Sequence, residues 1–293
     1  MDTITDQLRD VQRSAAEDKT LADSGFYWRE RGGVKVLVCR ALEDAGFANG
    51  FSTRLGGVSS LNGSESGTEL NLSGFSEDTA ENIYENRRRF LAIFDRPYQF
   101  ATVWQVHGDG VKVVRDENGV SESNEKYDAL VSDLPNTLVG VKTADCVPVL
   151  IGDPRTGAYA AVHAGWRGTA QSIVQKAVAK LGAVFGSRAE DLVCAIGPAA
   201  GCEQYEVGPE VIDTFAENFA SGRKYFVETR PGHALVDLKQ ANRDRLTGAG
   251  VSAANIFTVP LCTMTRSDLF FSYRIEKKKF GRTGRLLSVI GRK

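Results

Sequence analysis

The chain holds 293 residues, 42% hydrophobic and 25% charged, with 36 basic against 37 acidic side chains. That length suits one large domain or two modest ones around a buried core. A formal net charge of −1 excludes the basic face that a broad nucleic-acid partner needs, and no apolar run approaches the roughly 20 residues of a membrane span.

The opening MDTITDQLRDVQRSAAEDKT carries acids throughout and no apolar core, so it is read as a polar helix over residues 1 to about 25 and not as a secretory signal. Gly25 to Arg40 reads as short strands around an Arg31-Gly32-Gly33 turn, with Val34, Val36 and Val38 on one face. A short strand within Ala48 to Leu55 leads into the glycine-rich Thr53 to Ser59, and Ser60 to Thr68 is expected as a loop. Asp78 to Phe94 is the clearest early helix, capped near Ser76 or Asp78, with an apolar stripe of Ile83, Phe90, Leu91 and Phe94. Gln99 to Val114 is expected as a strand pair around Trp104 to Gly110. A polar loop, Glu117 to Glu125, then precedes the apolar Ala129 to Val131.

Val139 to Thr169 is the stretch around which the rest is organised. It reads as two apolar strands returning through the turn formers Gly152-Asp153-Pro154-Arg155-Thr156-Gly157. Such a hairpin brings the thiol of Cys146 toward the imidazole of His163, and a helix follows over Ala170 to Leu181. Farther on, strands are expected over Asp191 to Ile196, Leu235 to Leu238 and Ile256 to Val259, and helices over Pro209 to Phe219 and Lys239 to Ala249. Strands and helices alternate without a strict βαβ rhythm, so mixed sheets with helices outside them are favoured, in one domain.

Five cysteines without a CxxC pair make a disulfide framework unexpected and a reducing cytoplasm the default setting. With only three histidines in the chain, a metal site has few donors to draw on. A thiol beside an imidazole is either a metal site or a Cys/His nucleophile. His107, Cys146 and His163 make one candidate set, three ligands that leave a fourth place open as catalytic zinc requires. Spacing alone does not separate that reading from a cysteine packed in a core. Asp145 is a candidate acid or base beside the thiol, provided the strand ends or bulges there. Arg54 and Arg167, in glycine-rich loops, are candidates to grip phosphate or carboxylate, and Trp166 to stack on a base. Cys194, Cys202 and Cys262 read as structural, His233 as a loop residue, and Lys277-Lys278-Lys279 as a solvated turn.

Several segments together resemble the YfiH-like laccase-domain family, also called multi-copper polyphenol oxidoreductase and purine nucleoside phosphorylase. They are Phe51 to Ser59, Asn71-Leu72, Gln105-Val106-His107-Gly108, Thr143-Ala144-Asp145-Cys146, His163 to Thr169, Gly197-Pro198 with Tyr205 to Gly208, Phe271 to Arg274 and Thr283-Gly284-Arg285. The match runs from about residue 46 to the end, leaving 1–45 as an N-terminal extension. It implies an α+β domain of two packed mixed sheets flanked by helices, four layers in α/β/β/α order, similar to the catalytic domain of cytotoxic necrotizing factor. It also implies zinc on His107, Cys146 and His163, with copper less expected. Catalytic roles then fall to Asp145, Cys146 and Arg54, and substrate contacts to Arg54, Asn71, Gln105, Trp166 and Arg167. The activity implied is phosphorolysis of adenosine, inosine and methylthioadenosine, with deamination of adenosine. Alternatives are a metal-free Cys/His hydrolase, an editing factor for peptidoglycan precursors and, with few histidines to support it, a copper oxidase of phenols. The chain departs from the family in having Glu203-Gln204 where a Cys pair is common. Lys277-Lys278-Lys279-Phe280 is a further departure, an insertion expected to lengthen a turn.

Overall fold

The computed structural model describes residues 15–61, 67–116, 119–219 and 221–293. Of the expected N-terminal helix, 15–23 is helical and the earlier part lies outside the described residues, as does the middle of the Ser60 to Thr68 loop. Strands β1 (Phe26–Arg31) and β2 (Val34–Cys39) pair from Phe26↔Cys39 to Arg31↔Val34. Their two-residue turn puts Gly32 and Gly33 at φ 58° and 82°, the left-handed geometry that matches the twist of a hairpin. Val34, Val36 and Val38 are buried on one face, and Leu37 and Cys39 on the other. The strand is therefore covered on both sides, and residues 26–39 belong to the main sheet instead of standing apart as an extension.

The chain continues through α1 (Arg40–Asp44), β3 (Phe47–Ser52), β4 (Leu55–Ser59) and α2 (Ala80–Leu91), the last capped by Thr79. Next come β5 (Gln99–Trp104), β6 (Val111–Val114), β7 (Glu122–Lys126), β8 (Ala129–Ser132), β9 (Thr137–Thr143), β10 (Val147–Gly152) and β11 (Tyr159–Ala164). Two helices follow, α3 (Trp166–Ala170) and α4 (Ile173–Phe185), then β12 (Val193–Ile196) and β13 (Glu206–Val207). The remainder is α5 (Pro209–Asn218), β14 (Phe226–Arg230), β15 (His233–Val236), α6 (Leu238–Gly248), β16 (Ile256–Thr258), α7 (Tyr273–Phe280) and β17 (Leu286–Arg292).

Two large mixed sheets result, a seven-stranded one in the order β1-β2-β3-β17-β9-β5-β7 and a six-stranded one in the order β16-β12-β10-β11-β8-β6. Three apolar clusters separate four layers. One lies between α2 and the larger sheet (Phe90, Leu138, Val289), and one between the sheets (Phe51, Val141, Leu150, Ile290). The third lies between the smaller sheet and its helices (Val149, Val162, Ile173, Ala241). This is the expected α/β/β/α sandwich.

Five local expectations are corrected. β5 and β6 are not a pair: each joins a different sheet, so 105–110 is a crossover between layers. The apolar run from Val139 to Ile151 is likewise divided, β9 in one sheet and β10 in the other, with Asp145 at φ 87° in the bend. The helix after His163 begins at Trp166 and breaks at Ser172, which takes φ 65°. The three lysines expected in a turn form the last turn of α7, where cations complement the helix dipole. In addition, part of the expected polar loop is β7, an exposed edge strand parallel to β5.

Candidate metal centre and its pocket

Three junctions at one end of the sandwich build the site. The β10–β11 hairpin pairs Val147 with Ala164 and Pro148 with His163, which sets Cys146 beside the end of the strand carrying His163. The 105–110 crossover supplies His107, whose φ of 59° turns the chain sharply. Gln105 ties this crossover to the end of β9: its amide donates to the Lys142 carbonyl and accepts from the Lys142 N–H, both at 2.7 Å.

His107, Cys146 and His163 each present a donor atom, and the three atoms lie within 4.8 Å of one another. The two imidazole rings meet edge to face with centroids 4.9 Å apart. Two imidazoles and a thiolate are a zinc donor set, with ligand distances of about 2.0–2.3 Å. The spacing and chemistry fit such an ion, and the cluster opens onto a cavity that leaves room for a fourth ligand. Gly165 is needed here, since a Cβ on it would stand 3.1 Å from His107 Cδ2 and 3.2 Å from Cys146 Sγ.

Asp128, fully buried at the start of β8, organises the centre. One carboxylate oxygen lies 2.8 Å from His163 Nδ1 and accepts from the His107 N–H at 2.9 Å. The other accepts from the N–H groups of Gly108 (2.7 Å) and Val106 (3.2 Å). One side chain thus orients one imidazole and fixes the loop that carries the other, the carboxylate–histidine arrangement common behind metal ligands. Although burial opposes its charge, the His163 bond and the loop N–H groups hold the Asp128 carboxyl below its usual range. Burial also opposes ionisation of the Cys146 thiol, yet the His163 and His107 imidazoles outweigh it and bring the thiol down to about 6. His163 responds in the opposite sense: burial works against its charge, and Cys146 with Asp128 holds it up at about 9. The thiol and the imidazole thus each favour the other's charged form.

The cavity has a volume of about 1330 Å³. His107, Cys146, His163, Asp145, Gln105, Trp166 and Arg167 all line it; Arg54 and Asn71 do not. The phosphate-gripping role expected of Arg54 is therefore corrected. Its guanidinium is buried between Glu69 and Glu276 (2.6 Å to the latter), donates to the Ser267 carbonyl and lies over the Phe271 ring. Asn71 is fully buried, with its side chain bonded to Asp78 and to the Arg285 N–H.

Asp145 touches the cavity, but its carboxylate already accepts from Thr263 Oγ1 (2.7 Å), Ser272 Oγ (3.0 Å) and the Arg274 N–H (2.7 Å). With these three contacts taken up, the Asp145 carboxylate is placed to pin the 272–274 segment. Arg167 is exposed, stacked over Trp166 at 4.1 Å and paired with Glu210 at 2.8 Å. Sequence reasoning missed Asp128, Lys142, Tyr205, Tyr273, Arg274 and Arg285 as site residues. For Asp128 the one signal was an acid directly before a fully apolar strand.

The family model described as multi-copper polyphenol oxidoreductase laccase matches residues 48–293. The purine nucleoside phosphorylase YfiH of Escherichia coli is 35% identical over 256 residues, 87% of this chain and 98% of that protein. A purine nucleoside phosphorylase of Deinococcus radiodurans is 40% identical over 242 residues, 82% of this chain and 87% of that protein. The crystal structure of YlmD from Geobacillus stearothermophilus superposes with a TM-score of 0.80 at 31% identity, covering 92% of this chain and 99% of that one. Sequence and fold agree: this chain belongs to the multi-copper polyphenol oxidoreductase laccase family, in its YfiH-like branch.

Proposed function

We propose that the chain is a zinc-dependent purine nucleoside phosphorylase that cleaves adenosine, inosine and methylthioadenosine with inorganic phosphate and also deaminates adenosine. The observation that carries this reading is the His107–Cys146–His163 cluster opening onto a deep, aromatic-rimmed cavity, in a chain whose relatives bear the name purine nucleoside phosphorylase. His107, Cys146 and His163 would hold the zinc, which when bound supplies Lewis acidity toward an oxygen or a water. A thiolate–imidazole set suits zinc, whereas copper oxidases draw on more histidine than the three residues here. Five unpaired cysteines suit the reducing cytoplasm in which we place the reaction.

In phosphorolysis a phosphate oxygen bonds to C1′ as the C1′–N9 bond breaks, and the departing purine takes up a proton. Trp166 and Tyr273, on the cavity wall, offer faces on which a purine stacks. Tyr205, whose phenol lines the cavity and carries its proton at neutral pH, is the candidate proton donor. Asp128 keeps His163 turned toward the cluster, and Asp145 holds the Arg274 segment at the rim. Incubation with adenosine, with and without phosphate, tests the reading. Ribose 1-phosphate should form only when phosphate is present, in an amount equal to adenine plus the hypoxanthine released from inosine, and deamination to inosine should proceed in either case. If no base is released with phosphate, the assignment fails.

The depressed Cys146 thiol beside His163 also favours a second reading, a metal-free Cys/His hydrolase. Metal analysis of the active protein separates the two, since about one zinc per chain is expected only of the first.

A further inference from the structure

The cavity reaches well beyond the metal cluster, onto the face of the larger sheet that packs against α2. Pairing of Leu287 with Lys142 and of Leu286 with Thr143 puts Arg285 and Lys142 diagonally opposite on that face. Such neighbours stand roughly 7–8 Å apart, and both line the cavity with Trp104. Their charges have no carboxylate in hydrogen-bonding contact among the described residues. Lys142 Nζ donates to the Val103 carbonyl at 2.7 Å. Arg285 Nη1 donates to the carbonyls of Thr283 (3.1 Å) and Gly284 (3.0 Å). The nearby Glu122 is occupied by Arg87, which takes both its oxygens at 2.8 and 2.9 Å.

Both cations sit on fixed backbone. Gln105 holds the Lys142 N–H and carbonyl, and Asn71 and the Leu72 N–H hold those of Arg285 (2.9 and 3.0 Å). Burial pushes Lys142 down to about 8, with Glu122 opposing and Arg87 adding to the shift; an anion placed against it would favour its charged form. A cavity of about 1330 Å³ exceeds the roughly 300–1,000 Å³ of ordinary small-molecule sites, so there is space for an anion besides a nucleoside.

We propose that Lys142 and Arg285 form a subsite for a phosphate group on the Trp104 side of the cavity, with Gln105 and Asn71 as the residues that position them. The phosphate is either the free co-substrate or the ester of a nucleotide. This deepens the phosphorylase reading and rests on it for the purpose of the phosphate, while binding itself can be measured without turnover.

The test titrates the zinc-loaded protein with inorganic phosphate and, separately, with adenosine 5′-monophosphate, comparing wild type, Lys142→Met, Lys142→Arg and Arg285→Met. Loss of one charge-assisted contact should weaken phosphate binding about tenfold or more in Lys142→Met and Arg285→Met. Lys142→Arg should recover most of it, with zinc content and melting temperature unchanged. In turnover the KM for phosphate should rise, with that for adenosine within about twofold. Weakened nucleotide binding with unaltered phosphate binding would assign the subsite to the ester. Unaltered binding of both anions in both Met variants overturns the proposal. Phosphate binding that depends on Lys142 in a protein with no phosphorolysis would leave the subsite standing and refute the activity.

Discussion

At the scale of single residues, the centre depends on a side chain that is not a ligand. Asp128 accepts three loop N–H groups and contacts His163 Nδ1 from a fully buried position. Asp128→Asn keeps the shape but turns one acceptor into a donor and removes the charge that holds the imidazole. Zinc affinity should fall about 10- to 100-fold, measured by competition with a coloured chelator, and an unchanged affinity would contradict the role. The thiol gives a second check. In metal-free protein, alkylation of Cys146 should reach half its maximal rate near pH 6, because the imidazoles lower the thiol from its ordinary range. A midpoint near pH 8.5, the value of a free thiol, would show that His163 and His107 do not act on it. Sequence made Cys146, His107 and His163 visible because few other residues could bind a soft metal. Asp128 stayed hidden because an acid before a strand is ordinary until its partners are known, and those lie on two distant segments.

At the scale of elements, the site is made where strands change sheets. An apolar run predicts a strand but carries no mark of which layer receives it, so 99–114 reads as one strand pair and 139–151 as one strand, whereas each divides between the two sheets. The hairpin from β10 to β11 was legible because its turn formers and its flanking apolar runs agree. Arg54 shows the same limit in a side chain: its glycine-rich surroundings resemble an anion loop, while in the fold Glu69 and Glu276 enclose it. Arg54→Ala would strand two buried carboxylates and loosen α7 from the sheet. A stability loss of about 3–5 kcal/mol is expected, read from urea denaturation, with phosphate affinity unchanged in the folded fraction. Weaker phosphate binding at full stability would return Arg54 to the active site.

At the scale of the whole molecule, the four-layer order was anticipated, and the layers account for the position of the pocket. Two sheets packed face to face leave an open end where their crossovers meet, and His107 and Cys146 sit on two of those crossovers. The β1–β2 hairpin widens the larger sheet and buries Phe26, Leu37 and Cys39 between the layers. These residues precede position 48, where the family match begins, so family resemblance alone gave no reason to count them as part of the domain. Their alternating valines mark a strand with one buried face but not the sheet that receives it.

The measurement that bears most directly on the central claim is a zinc titration of the metal-free protein, followed by phosphate-dependent release of adenine from adenosine. Activity should climb in proportion to added zinc and level off at one ion per chain, and Cys146→Ala should stay inactive at any zinc concentration. Full activity before any zinc is added, or in Cys146→Ala, would contradict the account.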